Sequence, residues 1–133
     1  MKPQVGKQRR KVIVLDTSAF VAGFDPFSID VEQATVPKVE DEIRNSLNKV
    51  RFETALESGK IKIKAPSKEF LSKIKESSVK VGDSFKLSET DIELLALSLE
   101  LKESGANPQI ITDDYSIQNV ATGLRIEFHE RSK

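Results

Sequence analysis

Four consecutive apolar, strand-favouring residues, Val12-Ile13-Val14-Leu15, run directly into Asp16-Thr17-Ser18. The run is too short for a buried helix and lacks polar alternation. It therefore predicts a central parallel strand covered on both faces. Asp16 then sits at the carboxyl end of that strand, where open α/β sheets place their ligands. A carboxylate there invites a partner, and the rest of the chain supplies more carboxylates rather than a Lys, His or Cys.

At 133 residues the chain is long enough for one domain with a real core. Lysines and arginines total 21 and so do the acids, so net charge argues neither for nor against nucleic acid. Its distribution says more. Lys2, Lys7, Arg9, Arg10 and Lys11 precede the first acid, so residues 1–11 read as a basic flexible arm and 12–133 as the folded domain. Such an arm can contact phosphates or can simply be solvated. The absence of cysteine removes disulfides, Cys nucleophiles and Cys-ligated zinc, and the lone His129 rules out a His-rich metal site. No apolar run approaches transmembrane length and no signal-peptide pattern opens the chain, which predicts a cytoplasmic protein with no membrane partner. Charged residues reach 32% while Asn and Gln are scarce, a balance that leans towards a thermophile.

Beyond the first strand, Ala19 to Ala22 begin a helix, and the turn-rich Gly23 to Asp30 exposes two Phe residues. Ala34-Thr35-Val36 reads as a short strand, and Pro37 suits the first position of a helix. Val39, Ile43, Leu47 and Val50 recur every three or four residues, continued by Phe52, Ala55 and Leu56 as far as Gly59, so one apolar stripe is expected. Ile61 to Ala65 alternates as a half-exposed edge strand does. A helix follows Pro66-Ser67 with Phe70, Leu71, Ile74 and Val79 inward, ending at Gly82-Asp83. From Ser88 to Glu103 the helix is apolar over most of its circumference, which predicts burial. Asn107-Pro108 is expected as a turn, Gln109 to Thr112 as a second core strand, Tyr115 to Thr122 as a helix, and Ile126 to Phe128 as a last strand. Strands alternating with helices predict an α/β fold with a central parallel sheet flanked by helices.

Acids recur at the element junctions: Asp16, Glu42, Asp91, and the pair Asp113-Asp114. Strand carboxyl ends and the helix starts that follow share one edge of a parallel sheet, so Asp16, Asp91 and Asp113/Asp114 should converge. Glu42 joins them if its helix packs beside that edge. Each acid also has an ordinary role. Ser88-Glu89-Thr90-Asp91 resembles a capping box, Asp113 or Asp114 can cap the last helix, and Glu42 can be a solvated helix acid. Together they are harder to dismiss. Two unit charges about 4 Å apart repel by about 4 kcal/mol at an effective dielectric of 20. With no Lys or Arg placed to neutralise the group, a divalent cation is the economical answer, and an all-oxygen donor set suits Mg²⁺ or Mn²⁺. Such ions activate water and stabilise phosphodiester hydrolysis. Thr17, Ser18 and Thr112 are placed to donate to the carboxylates and fix their rotamers, or merely to start helices.

Val14-Leu15-Asp16-Thr17-Ser18, Val36 to Ile43, Leu87-Ser88-Glu89-Thr90-Asp91 and Ile110-Ile111-Thr112-Asp113-Asp114, in that order, resemble the PIN domain, a family of metal-dependent ribonucleases. The resemblance covers about residues 12–128 and implies a three-layer PIN-like fold. The run Thr112 to Ala121 is similar to the Nin-one-binding (Nob) branch, whose implied activity is trimming the 3′ end of precursor small-subunit ribosomal RNA. Carried over by motif, Asp16, Glu42, Asp91 and Asp114 match the family's acids. The resemblance implies that Asp16 and Asp91 bind the principal Mg²⁺ or Mn²⁺, and that Asp114 and Asp113 complete that site or a second one. It implies that Glu42 orients or deprotonates the attacking water. Tyr115, Gln118 and Asn119 open the last helix at the acidic edge, where they could stack on or hydrogen-bond to single-stranded RNA, alongside Lys7, Arg9 and Arg10 of the arm. The branch is expected to carry a zinc ribbon after this domain. The cysteine-free sequence departs from that pattern, which leaves truncation, a split gene with a zinc-ribbon partner in trans, and a different substrate open. A homodimer is a further expectation of the family. Competing readings are a VapC-like toxin ribonuclease and a non-cleaving RNA- or partner-binding module. A phosphorylated receiver domain fits worst, because it needs a second acid beside Asp16 and a Lys on the last strand.

Overall fold

The computed structural model describes the backbone of residues 9–81 and 87–130 and the side chains of 9–77 and 87–130. Along the chain lie β1 (Lys11–Leu15), α1 (Thr17–Val21), a 3-10 turn (Pro26–Ser28), β2 (Glu32–Thr35), α2 (Pro37–Arg44), α3 (Lys49–Glu57), β3 (Ile61–Ile63), α4 (Lys68–Val81), α5 (Glu89–Glu103), β4 (Asn107–Ile111), α6 (Tyr115–Gly123) and β5 (Glu127–His129).

The strands form one parallel sheet in the order β3-β2-β1-β4-β5, flanked by the helices. Burial explains the strand residues. Val12, Val14 and Leu15 are wholly buried and Ile13 nearly so, as a strand between two others and two helical layers requires. α5 packs across β1, β4, α4 and α6 and buries Leu94, Leu95, Ala96, Leu97 and Leu101, which leaves a narrow acidic stripe of Glu89, Glu93, Glu100 and Glu103 outside the core. From β1 the chain winds one way to β2 and β3, then returns to place β4 on β1's other side. The carboxyl ends of β1 and β4 therefore flank the topological switch point, where a parallel sheet opens a crevice.

Several local expectations are corrected. The helix expected from Pro37 to Gly59 is two helices, and Leu47 and Val50 are exposed rather than part of its stripe. Between them the Ser46 backbone N–H and hydroxyl both donate to the Ile43 carbonyl, and the Ser46 hydroxyl accepts from the Asn48 N–H. These local bonds offer the backbone an alternative to the helix ladder. Of the two loop aromatics only Phe27 is exposed; Phe24 joins the core. Asn107-Pro108 is not a turn but the start of β4, paired with Lys11 and Val12, where a strand tolerates proline at its first positions. β2 and α1 each begin two residues earlier than expected, at Glu32 and Thr17. The expected inward Val79 side chain and the Gly82-Asp83 stop lie outside the described residues, as does Lys7.

Candidate active site

Asp16 ends β1 and caps α1, its carboxylate Oδ1 accepting the Thr17 N–H at 2.7 Å. Its Oδ2 accepts the Thr112 hydroxyl at 2.7 Å and the Ser18 hydroxyl at 3.1 Å. Its own N–H reaches the Ile111 carbonyl, so the end of β4 is stitched to the end of β1 through main chain and side chain alike. Thr112 is wholly buried, and every polar group it has is used. The hydroxyl accepts the Asp114 N–H at 3.0 Å, the N–H donates to the His129 carbonyl, and the carbonyl accepts the Gln118 amide at 3.0 Å. Asp114 in turn caps α6 by accepting the Ser116 N–H. The Asp113 N–H lies 3.4 Å from the Ser18 hydroxyl oxygen.

Asp91 arrives from α5. It forms a reciprocal capping box with Ser88, its carboxylate accepting the Ser88 N–H at 3.0 Å while its own N–H donates to the Ser88 hydroxyl. The ordinary capping role and a position in the acidic cluster therefore coexist in one side chain. Glu42, on the exposed face of α2, is drawn to the same edge by two hydroxyls. It accepts from Thr17 and, at 2.7 Å, from Thr90, the immediate neighbours of Asp16 and Asp91. Thr90 was invisible as a site residue in the sequence, although its place between a cap and an acid at a helix start was the available signal.

The charge of Asp114 reaches both Asp16 and Asp91, and that of Asp16 reaches Asp91. Burial pushes the Asp16 carboxyl above its ordinary value, opposed by its hydrogen bonds, and the charge of Asp114 pushes it further up. Burial also raises Asp91, and both Asp114 and Asp16 add to the shift. Among the described residues no ion pair reaches Asp16, Glu42, Asp91 or Asp114. An uncompensated set of oxygen donors is the chemistry that a hard divalent cation fits. Among the described residues no group of three or more Asp, Glu, His or Cys side chains is placed to hold a metal ion. A hydrated Mg²⁺ does not require one, because it keeps several waters and takes one or two carboxylates.

The remaining candidate contacts divide. Tyr115 is 71% exposed on the first turn of α6, and Asn119 is exposed one turn further on, both on the acidic edge. Gln118, expected to face RNA, is instead buried and clamps the Thr112 carbonyl, so it orders the site from behind. Arg9 and Arg10 lie ahead of β1, at the amino end of the strand, whereas Asp16 follows its carboxyl end; Arg10 pairs with Glu32 at the start of β2. Five strand residues at about 3.3 Å each separate them from the acids, so the described part of the arm does not join this cluster.

A family profile described as the PIN domain of ribonuclease matches residues 13–101. The chain is 40% identical over 116 residues to an endoribonuclease Nob1 of Pyrococcus abyssi, covering 87% of this chain and 66% of that protein. It is 44% identical over 117 residues to an endoribonuclease Nob1 of Methanocaldococcus jannaschii, covering 88% of this chain and 55% of that protein. It is 36% identical over 115 residues to a ribonuclease VapC3 of Aeropyrum pernix, covering 86% of this chain and 82% of that protein. The chain thus spans just under two-thirds of one Nob1 relative and about half of the other.

Proposed function

The chain belongs to the PIN-domain family of ribonucleases, and on that premise we propose that it is a divalent-metal-dependent endoribonuclease that cuts single-stranded precursor small-subunit rRNA near its 3′ end. The observation that carries the reading is the gathering of acids beside the sheet's switch point: the charge of Asp114 raises both Asp16 and Asp91, that of Asp16 raises Asp91, and among the described residues no ion pair relieves them. Residues 12–133 form the nuclease unit in this proposal and 1–11 the basic arm.

Asp16 and Asp91 would hold Mg²⁺ or Mn²⁺, with Asp114 and Asp113 completing that site or a second. When bound, such an ion lowers the pKa of water and stabilises the attacking and leaving oxygens. Thr112, Ser18 and the Thr17 N–H hold the Asp16 carboxylate in one orientation. Glu42 directs the attacking water and takes its proton on an oxygen now shared with Thr17 or Thr90. Attack at phosphorus breaks the bond to O3′, leaving a 5′-phosphate and a 3′-hydroxyl. Tyr115 offers an exposed ring on which an unstacked base can lie, with Asn119 beside it.

The target assignment draws support from the likeness to the two Nob1 endoribonucleases. The test is incubation with a precursor 3′-end fragment and Mn²⁺, mapping cuts to the nucleotide. Asp16→Asn should abolish cleavage while circular dichroism keeps the wild-type spectrum; unchanged cleavage rejects the site. The likeness to VapC3, which extends over most of that protein's length, supports a toxin-type ribonuclease as the second reading. Growth arrest on expression, with no cut at the precursor 3′ end, would select it. Tight RNA binding without cleavage in either metal would select the non-cleaving module.

A further inference from the structure

A second depression lies beside the acidic cluster. It is a pocket of about 130 Å³ between α2, α4 and α5, lined by Lys38, Leu71, Lys75, Glu89, Ile92 and Glu93. Its floor is apolar, since Leu71 and Ile92 are half-buried and continuous with the core. Its rim carries two ammonium groups and two carboxylates, so it has no net charge with which to hold a phosphate. The rim offers donors beside acceptors above a greasy surface, which is what the edge and face of a nucleobase require.

The rim is ordered and adjustable in the same place. The Lys38 ammonium lies 3.4 Å from a Glu89 oxygen, in a pair whose Glu89 side chain is 83% exposed. Such a solvent-exposed pair is weak and exchanges readily for a ligand's own donors and acceptors. Glu93 is anchored, its Oε1 accepting the Lys38 backbone N–H at 3.3 Å. Lys38 and Glu42 share one face of α2, four residues apart, which is about 6 Å along the axis. The pocket therefore opens within a nucleotide or two of the edge where the acids converge.

We propose that this pocket receives one unstacked nucleobase of the RNA substrate, next to the cleaved phosphodiester, and selects bases with an exocyclic amine over uracil. Glu89 and Glu93 accept from the amine, and Lys38 donates to the neighbouring ring nitrogen or carbonyl. Adenine, cytosine and guanine each offer that amine; uracil does not. The inference rests on the proposed ribonuclease activity, because it names a specificity pocket for that reaction.

The test uses the full chain in two assays. In the first, kcat/KM with Mn²⁺ is measured on single-stranded oligonucleotides that differ only at the positions flanking the cut. Wild type should disfavour uracil at one position by about tenfold, and Glu89→Lys, which replaces an acceptor by a donor, should erase or invert that ratio. A ratio near one in wild type, or one unmoved by Glu89→Lys, overturns the proposal. In the second assay, metal-free Asp16→Asn protein is titrated with AMP, CMP, GMP and UMP while amide shifts are followed by NMR. Shifts at Leu71, Glu89, Ile92 and Glu93 with all but UMP support the pocket even if no RNA is cut. Shifts elsewhere, or equal shifts with UMP, overturn it even if RNA is cut.

Discussion

Replacing Thr112 by valine removes one hydroxyl and leaves the branched shape of the side chain in place. That hydroxyl donates to the Asp16 carboxylate at 2.7 Å and accepts the Asp114 N–H at 3.0 Å, in a position with no solvent exposure. A hydrogen bond to a charged group contributes about 1.5–3 kcal/mol, and a donor left without a partner loses about 1 kcal/mol or more. Part of this returns because a valine has no hydroxyl to desolvate. The expected destabilisation is about 2–4 kcal/mol. With a urea m-value of about 1.5–2 kcal/mol/M for a domain of this size, the midpoint should fall by about 1–2.7 M. Loosening the carboxylate should also lower Mn²⁺-dependent cleavage by roughly 10–100-fold, the usual effect of losing a group that orients a metal-binding side chain. Thr112→Ser keeps the hydroxyl and loses a methyl, so it should stay within about 1.5 kcal/mol of wild type and retain most of the cleavage rate. Urea melts by circular dichroism and initial rates on one oligonucleotide check both numbers. A valine variant as stable and active as wild type would refute the reasoning, and so would a serine variant as damaged as the valine one.

The raised Asp16 and Asp91 carboxyls bind more protons in the native state than in the unfolded one, so their contribution is present at low pH and is lost as pH rises from about 3.8 through their raised values. In EDTA, Asp16→Asn should therefore flatten the fall of stability with rising pH that these groups impose; urea midpoints over a pH series that run parallel for the two proteins would contradict this. Arg125 holds a φ of 60° just past the end of α6, a conformation that strains any residue with a Cβ. Arg125→Gly should raise stability by about 1 kcal/mol in a thermal or urea melt, and a loss would show that the arginine side chain makes up the difference.

The elements with one period were legible. Val12 to Leu15 and the mostly apolar α5 could be placed because burial over most of their surface leaves a single solution for runs of their length. That the acids fall at strand ends and near helix starts was legible, because a parallel sheet gathers its carboxyl ends at one edge wherever the register falls. What escaped was set by contacts that no local pattern encodes. Leu47 and Val50 kept helical spacing across a break made by the Ser46 hydroxyl. Gln118 has the composition of a surface residue, and its burial follows from a carbonyl six positions earlier that needed a donor. The arm's charge was visible, but the end of the sheet to which it is attached depends on strand direction, which reverses the meaning of proximity in sequence.

The Thr112–Asp16 hydrogen bond closes a span of 96 positions. Asp16 is made early in translation and waits for Thr112 and Asp114, while β1 lacks one of its two neighbours until β4 leaves the ribosome. A nascent chain that ends before β4 and α6 therefore lacks both the Thr112–Asp16 bond and the Asp114 carboxylate, and the acidic edge forms only once the final elements dock.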